Sequence, residues 1–115
     1  MSLEEQVNGE YHKGTHDKIV KKVVQRLEES GLYDIIKHNV NYDLVKSKKF
    51  GEADVLAQAG DRAFAFEIKS SYKGYKKAEH QLQKDERLLL RECGQHAKVY
   101  KFHVYGSDVN YRRIK

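Results

Sequence analysis

A chain of 115 residues with 39% hydrophobic content has the apolar surface for one compact domain over residues 1–115, with a single core, and not for two. No apolar run approaches the roughly 18 residues of a membrane span, and the opening MSLEEQVNGEYHKG has no apolar stretch of the signal-peptide kind, so a soluble intracellular protein without a membrane partner is expected. The single Cys93 excludes an intrachain disulfide and a cysteine-ligated zinc site, while 22 Lys+Arg against 17 Asp+Glu leave a net charge of +5.

Residues 1–13 are expected to be a flexible N-terminal segment. THDKIVKKVVQRLEESG then predicts an amphipathic helix with Thr15 as N-cap, Ile19, Val20, Val23, Val24 and Leu27 on one face, and a stop at Gly31. From Ile36 to Leu44 the even positions Ile36, His38, Val40, Tyr42 and Leu44 alternate with Lys37, Asn39, Asn41 and Asp43, the period of a half-exposed strand. GEADVLAQAGDRAFAFEIKSS, residues 51–71, supplies two more strands around a turn. A second helix from Tyr75 to Cys93 turns Ala78, Leu82, Leu89 and Cys93 inward and ends at Gly94, and KVYKFHVY makes a last strand. The order is α-β-β-β-α-β, an α/β domain without repeats or linkers.

The hairpin concentrates charge. With Gly60 and Asp61 as a two-residue turn, Ala59 faces Arg62, Asp54 faces Glu67 and Glu52 faces Lys69. A period of two then puts these four charged side chains on one face and Val55, Ala57, Phe64, Phe66 and Ile68 on the other. Two carboxylates across an antiparallel pair repel one another unless a cation neutralises them, and Mg²⁺ accepts one or two carboxylates plus waters and substrate phosphates. On this reading, loss of either acid relieves repulsion and leaves the unliganded chain as stable or more so. The alternative is a ladder of cross-strand salt bridges, Glu52 with Lys69 above all, on an exposed strand face.

A strand carrying Asp54, a tight turn and then Glu67-Ile68-Lys69 on the next strand resembles the PD-(D/E)XK nuclease superfamily, especially its small archaeal and phage Holliday-junction resolvase and RecB-like members. The resemblance covers most of the chain. It implies a restriction endonuclease-like core, α-β-β-β-α-β with a mixed central sheet flanked by helices, and an archaeal, bacterial or viral source. It also implies that Asp54, Glu67 and the backbone carbonyl of Ile68 bind Mg²⁺ or Mn²⁺ while Lys69 orients the attacking water. The implied activity is a metal-dependent deoxyribonuclease, an endonuclease hydrolysing phosphodiester bonds in branched or structured DNA as a homodimer.

Two positions depart from the superfamily. Many relatives place Glu near the start of the first helix, where this chain has GTHDKIV. His16 lies almost at the centre of the apolar stripe and is the candidate for that role, either serving the metal site or merely satisfied by a local carbonyl. Asp17, Glu10 and Glu52 are further candidate site acids. On the second helix Gln81 fits the first position of a Gln-x-x-x-Tyr pattern, as a phosphate contact or an orienting group, whereas Asp85 replaces the tyrosine and reads as a salt-bridged residue.

The basic clusters then read as a phosphate surface. Ser70, Lys73, Lys76 and Lys77 are expected to line one edge of the cleft, with Tyr72 and Tyr75 against sugar or base, Lys46, Lys48 and Lys49 on the other side, and Arg112 and Arg113 near the C-terminus. No base-reading motif is present, so recognition of shape and backbone is expected. Two other readings of the same residues are a nucleic-acid-binding module with a degenerate nuclease site and a basic, non-enzymatic scaffold with a solvated lysine-rich surface.

Overall fold

The structure, a computed structural model, describes residues 3–44 and 49–115, with side chains described for 15–40 and 52–115. Helix α1 (Leu3–Ser30) precedes β1 (Ile35–Leu44), β2 (Lys49–Ala59) and β3 (Arg62–Lys69); a 3₁₀ turn (Tyr72–Gly74) leads into α2 (Tyr75–Cys93), followed by β4 (Lys98–Tyr105) and β5 (Asn110–Ile114). The strands form one five-stranded mixed sheet in the order β1-β2-β3-β4-β5. Only β3 and β4 run parallel, because α2 carries the chain back between them; the other neighbours are antiparallel. No helix among the described residues is long and apolar enough to cross a membrane.

The helices cover opposite faces of the sheet. Ile19, Val20 and Val23 of α1 pack on Val55, Ala57, Phe66, Ile68 and Val104, and Leu82, Leu88 and Leu89 of α2 pack on Ala53, Leu56, Ala63 and Ala65. Each such branched side chain stabilises the fold by roughly 1.5–3 kcal/mol on burial. Cys93 is half-buried at the margin of the α2 core, where burial and the neighbouring Glu92 push its thiol up.

The hairpin register is the expected one: Ala59 pairs with Arg62, and the ladder continues to Val55 with Phe66. Gly60 takes φ +61°, and its N–H donates to Oδ2 of Asp34 at 3.0 Å, which ties the turn to the strand entering beside it. The second helix and the strand after it have the predicted bounds, and Gly94 ends the helix with φ +104°.

Three expectations are corrected. α1 begins at Leu3, so Thr15 lies inside the helix and is no N-cap. The preceding residues have no proline, and Leu3, Glu4, Glu5 and Gln6 favour a helix, although Asn8, Gly9 and Gly14 do not. A fifth strand forms from NYRRI, whose charges suit a short sheet edge and give it the look of a basic tail. Finally, the alternation of β1 and β2 does not hold along their length. Ile36 and Val55 belong to the α1 side, whereas Val40 and Ala53 join the α2 core, although simple alternation puts all four on one face. The switch falls between the pairs His38 with Val55 and Val40 with Ala53, where Asn39 has φ +51° and lies across from Asp54 outside the ladder.

Candidate active site

The irregular row at Asn39 and Asp54 opens the sheet. The β2–β3 ladder stops at Val55 with Phe66, and beyond it side chains replace backbone partners. The N–H of Ile68 donates to Oδ2 of Asp54 at 2.8 Å, and the N–H of Asp54 donates to Oε1 of Glu67 at 3.3 Å. In a strand the N–H and C=O of one residue leave the same edge. The Ile68 carbonyl therefore faces the opened edge beside Asp54, as a backbone ligand would have to.

Their hydrogen-bond partners separate the two acids electrically. Asp54 and Glu67 are both buried, and Asp85 on α2 is completely so. Burial, a hydrogen bond with Asp85 and the charges of Asp85 and Asp54 push Glu67 up to about 12. Burial also pushes Asp54 up, but hydrogen bonds with His16, Glu67 and the Ile68 N–H overcome it and hold that carboxyl below its usual range. The two carboxyls are thus shifted in opposite directions, Asp54 toward its charged form and Glu67 toward its protonated one. His16 Nε2 lies 3.3 Å from Asp54 Oδ2, and this contact raises the imidazole above its ordinary value despite partial burial. Asp17 is exposed, 3.7 Å from the other ring nitrogen.

Gln81 spans the gap between helix and sheet, donating from Nε2 to the Glu52 carbonyl at 2.9 Å and to Asp85 Oδ1 at 3.4 Å. The Glu52 side chain is exposed, and because the ladder has ended it is not register-paired with Lys69. Among the described residues, no ion pair includes Glu52 or Lys69, so the salt-bridge ladder does not form.

Lys69 ends β3 with its stem laid against Gly74: a Cβ there would lie 2.8 Å from Lys69 Cγ. Beyond it opens a cleft of about 440 Å³ lined by Lys69, Lys76, Lys77, His80, Gln81 and Lys84. Ser70 and Lys73 are exposed nearby in sequence. Tyr72 and Tyr75 stack at 5.5 Å and also meet Arg112, whose guanidinium lies 5.4 Å and 5.6 Å from their rings, while Tyr72 stays exposed. Arg112 also donates to Glu79 at 3.0 Å and to His103 Nδ1 at 3.2 Å, so intramolecular partners hold this expected phosphate contact. Arg113 lies over Tyr100 on the sheet edge. Lys46 and Lys48 lie outside the described residues, as do the side chains of Lys49 and Glu10.

The site thus brings His16, Asp54, Glu67 and Gln81 together from α1, β2, β3 and α2, with Lys69 at the adjoining cleft. Asp85, read from sequence as a salt-bridged residue, is a third buried carboxyl against Glu67. Its signal was the stripe Ala78, Leu82, Asp85, Leu89, a core-facing spacing interrupted by an acid. His103 was not anticipated. It is fully buried beside Glu67 in the β3–β4 register, and burial, Arg112 and Lys69 hold it below its ordinary pKa.

No three His, Cys, Asp or Glu side chains among the described residues already surround a common point. The donor set nevertheless fits a hard divalent cation: two adjoining carboxyl groups, one of them pushed toward its protonated form by burial and by Asp85, beside a carbonyl on an open strand edge. Comparison of the chain with protein-family models and with curated proteins returns no match.

Proposed function

We propose that the protein is a metal-dependent endonuclease with a restriction endonuclease-like core, hydrolysing phosphodiester bonds in branched or structured DNA. The observation that carries this reading is the meeting of Asp54 and Glu67 where the β2–β3 ladder opens, beside the lysine-lined cleft that Lys69 borders. A structural salt-bridge network needs no such arrangement; a phosphate-bridging cation does.

Asp54, Glu67 and the Ile68 carbonyl would hold Mg²⁺ or Mn²⁺, which when bound supplies Lewis-acid polarisation of the scissile phosphate and lowers the proton affinity of water at the site. The chain's own groups do the rest. To hold the cation Glu67 would have to release its proton to solvent, while His16 orients Asp54 and the Lys69 ammonium positions water or phosphate at the cleft's edge. Gln81 fixes the distance between α2 and β2. A homodimer would present two such sites, one for each strand.

The test is cleavage of linear, flapped and four-way DNA with Mg²⁺ or with EDTA, alongside calorimetric titration of Mg²⁺. Metal-dependent products are expected. Binding of DNA without cleavage and without any effect of Mg²⁺ would establish instead a module with a degenerate site, a reading that the His16 contact on Asp54 favours.

A further inference from the structure

Along α2, Lys76, Lys77, His80 and Lys84 follow the spacing of one helical face, and all four line the cleft that begins at Lys69. No acidic side chain lines that cleft, and among the described residues Lys69, Lys76, Lys77 and Lys84 form no ion pair. The contrast is with the helix's other flank, where Glu79 and Glu86 pair with Arg112 and Lys101. Lys76, Lys77 and Lys84 thus concentrate positive charge on one flank with no acid between them, a field that an anion lying along the cleft would neutralise. Eight residues from Lys76 to Lys84 span about 12 Å, and a duplex strand advances about 3.4 Å along the axis per phosphate. The row is therefore about 3.5 such steps long and matches about four successive phosphates.

We infer that this flank of α2 is a track for one nucleic-acid strand, in which Lys76, Lys77, His80 and Lys84 take successive phosphates and Lys69 marks the end nearest Asp54 and Glu67. His80 and Lys84 thereby join the binding surface, although neither lies in a basic run of the sequence. The inference deepens the endonuclease reading and rests on it for the class of polyanion. Gln81, bonded to the Glu52 carbonyl, forms the wall between track and carboxylates. A strand lying in the track has its next phosphate beside Lys69.

The experiment is fluorescence anisotropy of the full chain with a labelled twelve-base-pair duplex and its single strand, in EDTA, at salt concentrations from about 50 to 200 mM, the range over which counterion release is large. Lys84→Gln should lower the log–log salt slope by about 0.9 on duplex and about 0.7 on single strand. For each phosphate that is no longer held, the ratio of duplex affinities at the two ends of the range should shrink about 3.5-fold. Lys76→Gln with Lys77→Gln should lower the slope about twice as much, and His80→Ala should weaken binding. Lys18→Gln, an exposed change of equal charge on α1, is the control. A Lys84→Gln slope equal to that control overturns the track. So does displacement by polyglutamate that matches DNA and depends equally on Lys84, which would identify an acidic polypeptide as the partner. Because EDTA removes hydrolysis from the measurement, slope changes without cleavage under any condition would leave the track standing and remove the endonuclease reading, and cleavage with unchanged slopes would do the reverse.

Discussion

Ile68 gives its backbone N–H to the carboxylate of Asp54 at 2.8 Å, where an antiparallel ladder would have used a carbonyl of β2. One acid thus substitutes for the sheet and faces the site at once. Asp54→Ala should therefore destabilise the unliganded chain by about 1–3 kcal/mol, the usual consequence of leaving a buried N–H without its acceptor. This reverses the expectation drawn from like-charge repulsion alone. Chemical denaturation without metal checks it, and Asp54→Asn, which keeps an acceptor oxygen, should recover most of the stability while remaining unable to cleave DNA.

Glu67 behaves oppositely. Its pKa in the folded chain, about 12, lies above the ordinary 4.5, so the folded state keeps a proton that the unfolded state releases. Its contribution to unliganded stability is complete below 4.5 and falls as pH rises above it, by about 1.4 kcal/mol per unit until other groups intervene. Glu67→Gln should flatten that slope and raise stability near pH 7 by up to about 3 kcal/mol, while abolishing metal binding and cleavage. Thermal melts at several pH values, with and without Mg²⁺, measure both effects; equal slopes in the two proteins would mean Glu67 is ionised without metal.

The His16 contact has its own signature. Its raised pKa means that the stabilisation is fully present below the ordinary 6.5 and lost as pH rises through the folded value, whereas Asp54, lowered from 3.8, loses its share only as pH falls through its folded value. The stability gap between wild type and His16→Ala should accordingly be widest in mildly acidic solution and close in alkali. Cleavage by His16→Ala should fall about 10–100-fold, as when a group orienting a metal ligand is removed. His16→Glu should retain more activity with Mg²⁺ than His16→Ala does; identical rates in wild type and His16→Ala would leave the residue a purely structural role.

Gly74 is placed by the stem of Lys69. Its φ of −80° is open to any residue, so Gly74→Ala strains no backbone, but the added methyl group must push Lys69 Cβ or Cγ aside. Those atoms lie close to the strand and cannot swing away as the chain's end can. Cleavage should drop about 10²-fold, the effect of a catalytic group misplaced by about an ångström, with a melting temperature close to wild type. Full activity in Gly74→Ala would show that the Lys69 position is not critical.

Arg112 and Arg113 are adjacent in sequence but differ in setting. Arg112→Ala removes partners of Glu79, His103, Tyr72 and Tyr75 together, and should destabilise the chain by about 1–3 kcal/mol. Arg113→Ala, which loses the contact over Tyr100, should change stability by less than about 1 kcal/mol. Denaturation midpoints decide between this and equal roles as surface phosphate contacts.

Local periodicities determined a good deal of the molecule. A two-residue turn leaves a hairpin one register, so the approach of Asp54 to Glu67 followed from Gly60 and Asp61, and the stripe of α2 and its glycine stop followed from helical spacing. What those rules could not contain was any event that needs distant segments to meet. The face switch at Asn39 and Asp54, the proton held on Glu67, the engagement of His16 with Asp54 and the capture of Arg112 by Glu79 and His103 each depend on which group excludes water from which. A carboxylate's charge and an arginine's availability are set by the dielectric and partners around them. Only the packing of α1 and α2 on opposite faces of the sheet decided those surroundings.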